Sequence, residues 1–313
     1  MGNDKIAFLF PGQGSQYIGM GSAFVDQDSE AAILMDKAES ISGYAIKKLC
    51  FEGPMEELTR TAYLQPAMTV VDLICLQALK KQGVRPDYVA GHSLGEYSAM
   101  CAAGILSVED TLALVTERGK LMEREAEKNP GGMVAVIGLA IDEVREVVDT
   151  AAAKGKITAA NHNAEKQIVV SGAKEALAYA GEVVAEKGGK AIPLKVSGAW
   201  HSDLVAGAIG DFQAFMETID FKIPDVSVFF NVTADEENDP AGIRDIMARQ
   251  IASTVRWYEI MQKLMECEVR IFIEVGPKNV LSGLAKKIIP SDYKYKCLRF
   301  DTPETLEKCL QEI

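Results

Sequence analysis

The pentapeptide Gly91-His92-Ser93-Leu94-Gly95 matches G-x-S-x-G and constrains this chain more than any other segment. The apolar run Tyr88–Gly91 ahead of it reads as a strand, and residues 96–103 after it as a helix. Strand, sharp turn and helix are the context that a nucleophile elbow requires. Side chains at positions 91 and 95 would collide across so tight a turn, which explains the two glycines. Ser93 is left projecting at a helix N-terminus, where free amides and the helix dipole favour negative charge. The Leu94 amide is then a ready oxyanion donor. Such an elbow stands on a buried parallel sheet, and the sequence supplies one. Lys5–Phe10 is a short apolar run stopped by Pro11-Gly12, and residues 226–231 and 270–275 read as further central strands. Helical spacing runs over 66–82, and over Val108–Lys128 behind a Ser107/Asp110 capping pair. Strands alternating with helices predict a doubly wound α/β sheet.

The middle of the chain has a different rhythm. A strand over 133–139 is followed by a helix over 141–154 and a hairpin of 157–161 with 167–171. A helix over 174–187 and a strand over 191–196 complete the order β-α-β-β-α-β, the ferredoxin-like pattern. The Asn129-Pro130-Gly131-Gly132 breaker opens this stretch and Ser197-Gly198 closes it. The expected organisation is a large α/β unit from residues 1–128 and 198–313, with 129–197 inserted as one wall of a cleft.

A serine hydroxyl is a weak nucleophile at neutral pH and needs a base. Three histidines are available. His92 adjoins Ser93 and should project away from its hydroxyl, and His162 lies in the hairpin of the insertion. His201 follows the insertion's last strand, where the chain returns to the large unit, and is the best candidate. The loop Pro11-Gly12-Gln13-Gly14-Ser15-Gln16 ends the first strand and should border the same site, because ligands of such sheets bind at strand carboxyl ends. Glycines on both sides of Gln13 let its amide approach a substrate oxygen. The loop is no dinucleotide fingerprint, since Tyr17 stands at the third glycine position. The elbow alone leaves open whether water or a thiol accepts the acyl group.

Composition excludes other classes. With 313 residues, 48% of them hydrophobic, the chain can bury a sizeable core. A net charge of -12 disfavours nucleic acid and anionic membranes as partners. Six scattered cysteines with no CxxC pair suggest reduced thiols in a cytoplasmic protein, not a disulfide framework or a zinc site. The N-terminus lacks the basic and long apolar regions of a signal peptide, and Ile6 breaks the myristoylation pattern that would begin at Gly2. No apolar run is expected to reach the length of a membrane span. Lys120, Arg124 and Lys128 recur at helical spacing as a candidate basic stripe, with Lys286-Lys287 as a second patch.

Taken together, the motifs resemble the malonyl-CoA:acyl carrier protein transacylase family. They are FPGQGSQ (10–16), LQPA (64–67), GHSLGEY (91–97), Glu117-Arg118-Gly119, ANHN (160–163), GAWHS (198–202), the Gln250 region before Val255-Arg256-Trp257, and EVGP (274–277). The resemblance implies an α/β-hydrolase-like parallel-sheet domain carrying a ferredoxin-like subdomain. It implies Ser93 as nucleophile, His201 as base, and the amides of Gln13 and Leu94 as oxyanion hole. It also implies Arg118 as partner of the malonyl carboxylate, Gln250 as orienter of the histidine through its main-chain carbonyl, and Asn163 as a lining residue. The implied partners are malonyl-CoA and acyl carrier protein, with no metal or other cofactor, in fatty acid synthesis. A stand-alone acyltransferase of polyketide synthesis and a serine hydrolase are the alternative readings. Trp200 stands where the family usually has Phe, and Asp203 where it often has Pro, which bears on acyl preference.

Overall fold

The computed structural model describes residues 4–313. Myristoylation at Gly2, which the sequence argues against, concerns a position outside them. Five strands form one parallel sheet: β1 (Lys5–Phe10), β2 (Tyr88–Gly91), β7 (Ser227–Phe229), β8 (Val269–Val275) and β9 (Lys296–Phe300), in the order β7-β2-β1-β8-β9. β1 explains why its sequence is a continuous apolar run and not an alternating one. Phe8 and Phe10 enter the core on one face of the sheet, and Ala7 and Leu9 the core on the other. Burying each of the large three contributes about 1.5–3 kcal/mol.

The second sheet holds β3 (Gly132–Ile137), β4 (Ile157–Ala164), β5 (Gln167–Gly172) and β6 (Lys190–Pro193), all antiparallel, in the order β4-β5-β3-β6. Helices Ile141–Ala151 and Lys174–Glu186 pack on it around a core of its own. The order of elements is the one the sequence predicts. β6 stops at Pro193, short of the expected 196, although Leu194 N still donates to the Met133 carbonyl at 2.9 Å. β4 is tied to the first sheet's lobe. His162 N donates to the Val255 carbonyl at 2.9 Å, Val255 N donates to the Ala160 carbonyl at 2.8 Å, and the His162 ring meets Glu259 at 3.2 Å.

Two expectations need correction. The helix expected over 66–82 begins at Thr61 and carries Pro66 in its interior. The missing proline N–H costs one helical bond, yet burial of the residues from Thr61 to Gln65, except half-buried Tyr63, holds the extra turn in place. By length and composition this helix, Thr61–Lys81, could cross a membrane, contrary to the sequence expectation; here 89% of its apolar window lies buried within the fold.

Candidate active site

β2 runs into the helix Gly95–Ala102 through the elbow, as the motif predicts. A Cβ at Gly91 would lie 2.0 Å from the Gly95 carbonyl carbon, and one at Gly95 would lie 2.1 Å from the Phe10 oxygen. Neither position tolerates a side chain. Ser93 sits at φ 53, in the left-handed region, which turns its hydroxyl out of the elbow. Ser93 Oγ lies 2.6 Å from His201 Nε2. His201 Nδ1 faces two main-chain carbonyls, Gln250 O and Ser253 O, each at 3.0 Å. Carbonyls only accept, so the ring proton is on Nδ1 and the Nε2 lone pair points at the serine. Burial, and then the charge of Arg118, push the imidazole down to about 3, so it is neutral and able to take a proton.

Arg118 is fully buried behind Ser93. Its Nη1 donates to Gln65 Oε1 at 3.0 Å, its Nη2 to Gln250 Oε1 at 2.9 Å, and the same Nη2 lies 3.4 Å from Ser93 Oγ. Its guanidinium carbon stands 5.5 Å from the centre of the Tyr97 ring. Gly119 permits this depth: a Cβ there would meet the Thr61 oxygen at 2.8 Å. Among the described residues no carboxylate makes an ion pair with Arg118. A buried cation whose direct partners are neutral side chains, with the Glu96 carboxyl acting on it only through space, is a costly arrangement that an incoming anion relieves.

Gln13 stands across from the serine, where Gly12 lets the loop close on the elbow; a Cβ at Gly12 would lie 2.4 Å from the His92 oxygen. Among the described residues the amides of Gln13 and Leu94 donate to no other group. The Gln13 side chain accepts from Thr61 Oγ1 at 3.1 Å. His92 points away from Ser93, as expected, with Nε2 donating to Asn163 Oδ1 at 2.7 Å. Asn163 thus lines the cleft and holds His92 at once. The cleft itself encloses about 180 Å³ between the two sheets, with Met133, Asn161 and Val169 from one and Gln13, Ser93, His201 and Leu284 from the other lobe. Trp200 forms part of its wall.

Ser93, His201, Gln250, Gln13, Leu94, Arg118 and Asn163 therefore come together. The basic stripe does not. Arg124 is engaged by Glu125 and Asp211, Lys128 by Glu125, and Lys120 lies over the Tyr44 ring. Sequence reasoning missed Asn231, Glu96 and the role of Gln65. Asn231 Oδ1 accepts the Ser93 N–H at 2.7 Å, and buried Glu96 accepts from both Asn231 N and Gln250 Nε2. Among the described residues no His, Cys, Asp and Glu cluster could hold a metal ion.

Ser93 thus stands strained on a strand-to-helix elbow, with a neutral buried imidazole against its hydroxyl and free amides beside it. The family described as "Acyl transferase domain" matches residues 7–295, and this chain belongs to it. The malonyl CoA-acyl carrier protein transacylase of Bacillus subtilis is 40% identical over 99% of this chain and 97% of its own length. Among solved structures, the acyl-carrier-protein S-malonyltransferase of Burkholderia pseudomallei superposes with a TM-score of 0.93 at 39% identity, covering 98% of this chain and 99% of that one. A malonyl-transacylase solved in complex with a type II polyketide synthase acyl-carrier protein gives 0.94 at 32%, covering 99% of this chain and 100% of that one.

Proposed function

We propose that this protein transfers a malonyl group from malonyl-CoA to the phosphopantetheine thiol of an acyl carrier protein, through an ester on Ser93, for fatty acid synthesis. The observation that carries the reading is the 2.6 Å contact of Ser93 Oγ with His201 Nε2 beside a buried arginine that lacks a carboxylate. His201 Nε2 takes the hydroxyl proton as Oγ attacks the thioester carbonyl. The oxyanion collects on the amides of Gln13 and Leu94, each worth about 3 kcal/mol in comparable holes. The C–S bond breaks and His201 returns the proton to the leaving CoA sulfur. The carrier thiol then gives its proton to His201, attacks the ester and regenerates Ser93 Oγ–H. The Gln250 main-chain carbonyl keeps the imidazole aimed throughout.

Arg118 is the group that selects malonyl. Its charge also lowers the basicity of His201. A malonyl carboxylate at the guanidinium cancels that field, so substrate binding itself strengthens the base. Residues 1–128 and 198–313 act as an α/β-hydrolase-like catalytic unit and 129–197 as the inserted wall. The six cysteines are free, in keeping with a cytoplasmic setting. The 32% relative with a polyketide carrier favours a second reading, in which the same site serves polyketide synthesis; transfer rates to the two kinds of carrier decide between them.

Intact mass after mixing with malonyl-CoA tests the acyl-enzyme. Wild type should gain one malonyl group and Ser93→Ala none; an adduct that persists in Ser93→Ala sinks the assignment. Rapid loss of the adduct to water without carrier would make the protein a hydrolase.

Carrier docking is expected at Lys286 and Lys287. Both lie in the last turn of Val280–Ile288, a helix whose Val280, Leu281 and Leu284 line the cleft. Reversing both charges should raise KM for the carrier up to about thirtyfold, at roughly 1 kcal/mol for each rim charge. KM for malonyl-CoA should not move. Equal effects on both substrates, or none, count against this patch.

A further inference from the structure

Ser93 holds a backbone conformation that L-residues avoid, and such conformations persist only where their surroundings fix them from several sides. Two side chains do this. The Asn231 carboxamide, from the turn after β7, spans the elbow: Oδ1 accepts the Ser93 N–H at 2.7 Å and Nδ2 donates to the Gly91 carbonyl at 2.7 Å. On the other side of the serine, Gln250 Nε2 donates to the Ser93 carbonyl at 2.8 Å. Glu96 joins the two holders. Its Oε1 accepts the Asn231 main-chain N–H at 2.6 Å and its Oε2 accepts from Gln250 Nε2 at 2.8 Å. Asn231, Glu96 and Gln250 are all fully buried.

We propose that Asn231 is a positioning residue for the nucleophile and that Glu96 is its anchor. The requirement is chemical as well as steric. One short side chain must present an acceptor to an amide and a donor to a carbonyl across the same turn, and only a carboxamide of this length does both. Aspartate keeps the acceptor but sets a second oxygen against the Gly91 carbonyl. Leucine has the shape and neither bond. Asn231 also occupies the Ser93 N–H, which confines the oxyanion hole to the Gln13 and Leu94 amides. Without the clamp, the serine relaxes away from left-handed φ and its hydroxyl leaves the His201 lone pair.

The inference rests on the serine acyl-transfer reading, and two probes separate their failures. Ser93 is titrated with a small fluorophosphonate, which needs the nucleophile and base but no malonyl pocket, and with malonyl-CoA. In Asn231→Asp, phosphonylation and kcat should fall together by about a hundredfold, the penalty of a misplaced reacting group. KM for malonyl-CoA should stay within about twofold. A protonated carboxyl in this variant restores a donor to Gly91 O. Burial raises such a group's pKa, so the rate of the variant relative to wild type should climb as the pH is lowered from about 8 to about 6; the ratio removes the titration of Glu96, which faces position 231 and whose carboxyl burial raises to about 8. Glu96→Gln, which turns an amide N–H toward the Gln250 amide, should lose about tenfold by the same readouts and serves if Asn231→Asp does not fold. A lower melting temperature with unchanged phosphonylation per folded molecule overturns the clamp. Phosphonylation of wild-type Ser93 with no malonyl adduct overturns the malonyl reading alone.

Discussion

His201→Ala should lower the rate of Ser93 acylation at neutral pH by between about two and four orders of magnitude, the range spanned by positioned proton-transfer groups. The fold should survive, because among the described residues the ring bonds two main-chain carbonyls and no side chain but Ser93, and it lines the cleft instead of filling the core. His162→Ala should leave acylation near wild type, since that ring is engaged by Glu259 and Tyr258. If His162→Ala is the damaging change, His201 is not the base. Burial and Arg118 hold the folded-state value of His201 at about 3 against an ordinary 6.5. The unfolded chain therefore binds the extra proton first, so stability is fully present above about 6.5 and declines as pH falls toward 3. Glu96 acts in the opposite sense. Burial raises its carboxyl to about 8, so its contribution is complete below about 4.5 and is lost as pH rises through 8. Melting temperature against pH should show a shallower acid limb in His201→Ala than in wild type; an unchanged limb would mean that His201 carries no such depression.

The parts of this fold that were legible in the sequence are those governed by local rules. Gly91 and Gly95 announce an elbow because no side chain fits there, and β1 announces a two-sided sheet because both of its faces are apolar. The β-α-β-β-α-β order likewise follows from periodicity and glycine breakers. What was not legible depends on depth and on distant partners. Arg118 sits on a helix rich in charge, and only packing at Gly119 shows that it is buried while Lys120 is not. The same helix misleads about docking, since Arg124 and Lys128 meet acidic partners that spacing cannot reveal. Asn231 reads as the end of a strand, and its bond to Ser93 spans 138 positions. Glu96 reads as one more helical glutamate until its carboxylate is found between Asn231 and Gln250.

Arg118→Ala should separate malonyl from acetyl transfer. In wild type the incoming carboxylate leaves water and is compensated by a guanidinium whose shortest bonds are to the Gln65 and Gln250 amides. Without the arginine the same carboxylate would be buried unpaired. Losing one partner of a buried charge pair costs about 3–5 kcal/mol, a fall of two to four orders of magnitude in kcat/KM for malonyl-CoA. An acetyl group has no charge to lose at that position. The acetyl reaction also measures the collateral damage, because Gln250 Oε1 gives up its partner in the variant while Gln250 Nε2 still holds the Ser93 carbonyl. Relief of the Arg118 field should raise the basicity of His201, so acetyl transfer is expected to be unchanged or improved. The measurement is the ratio of kcat/KM for malonyl-CoA and acetyl-CoA in wild type and variant. A parallel fall in both would make Arg118 a brace for Gln250 and not a substrate ligand. The specificity would then have to be sought in the apolar wall, beginning with Trp200, whose ring leaves so little room that a Cβ at Gly198 would lie 2.5 Å from it.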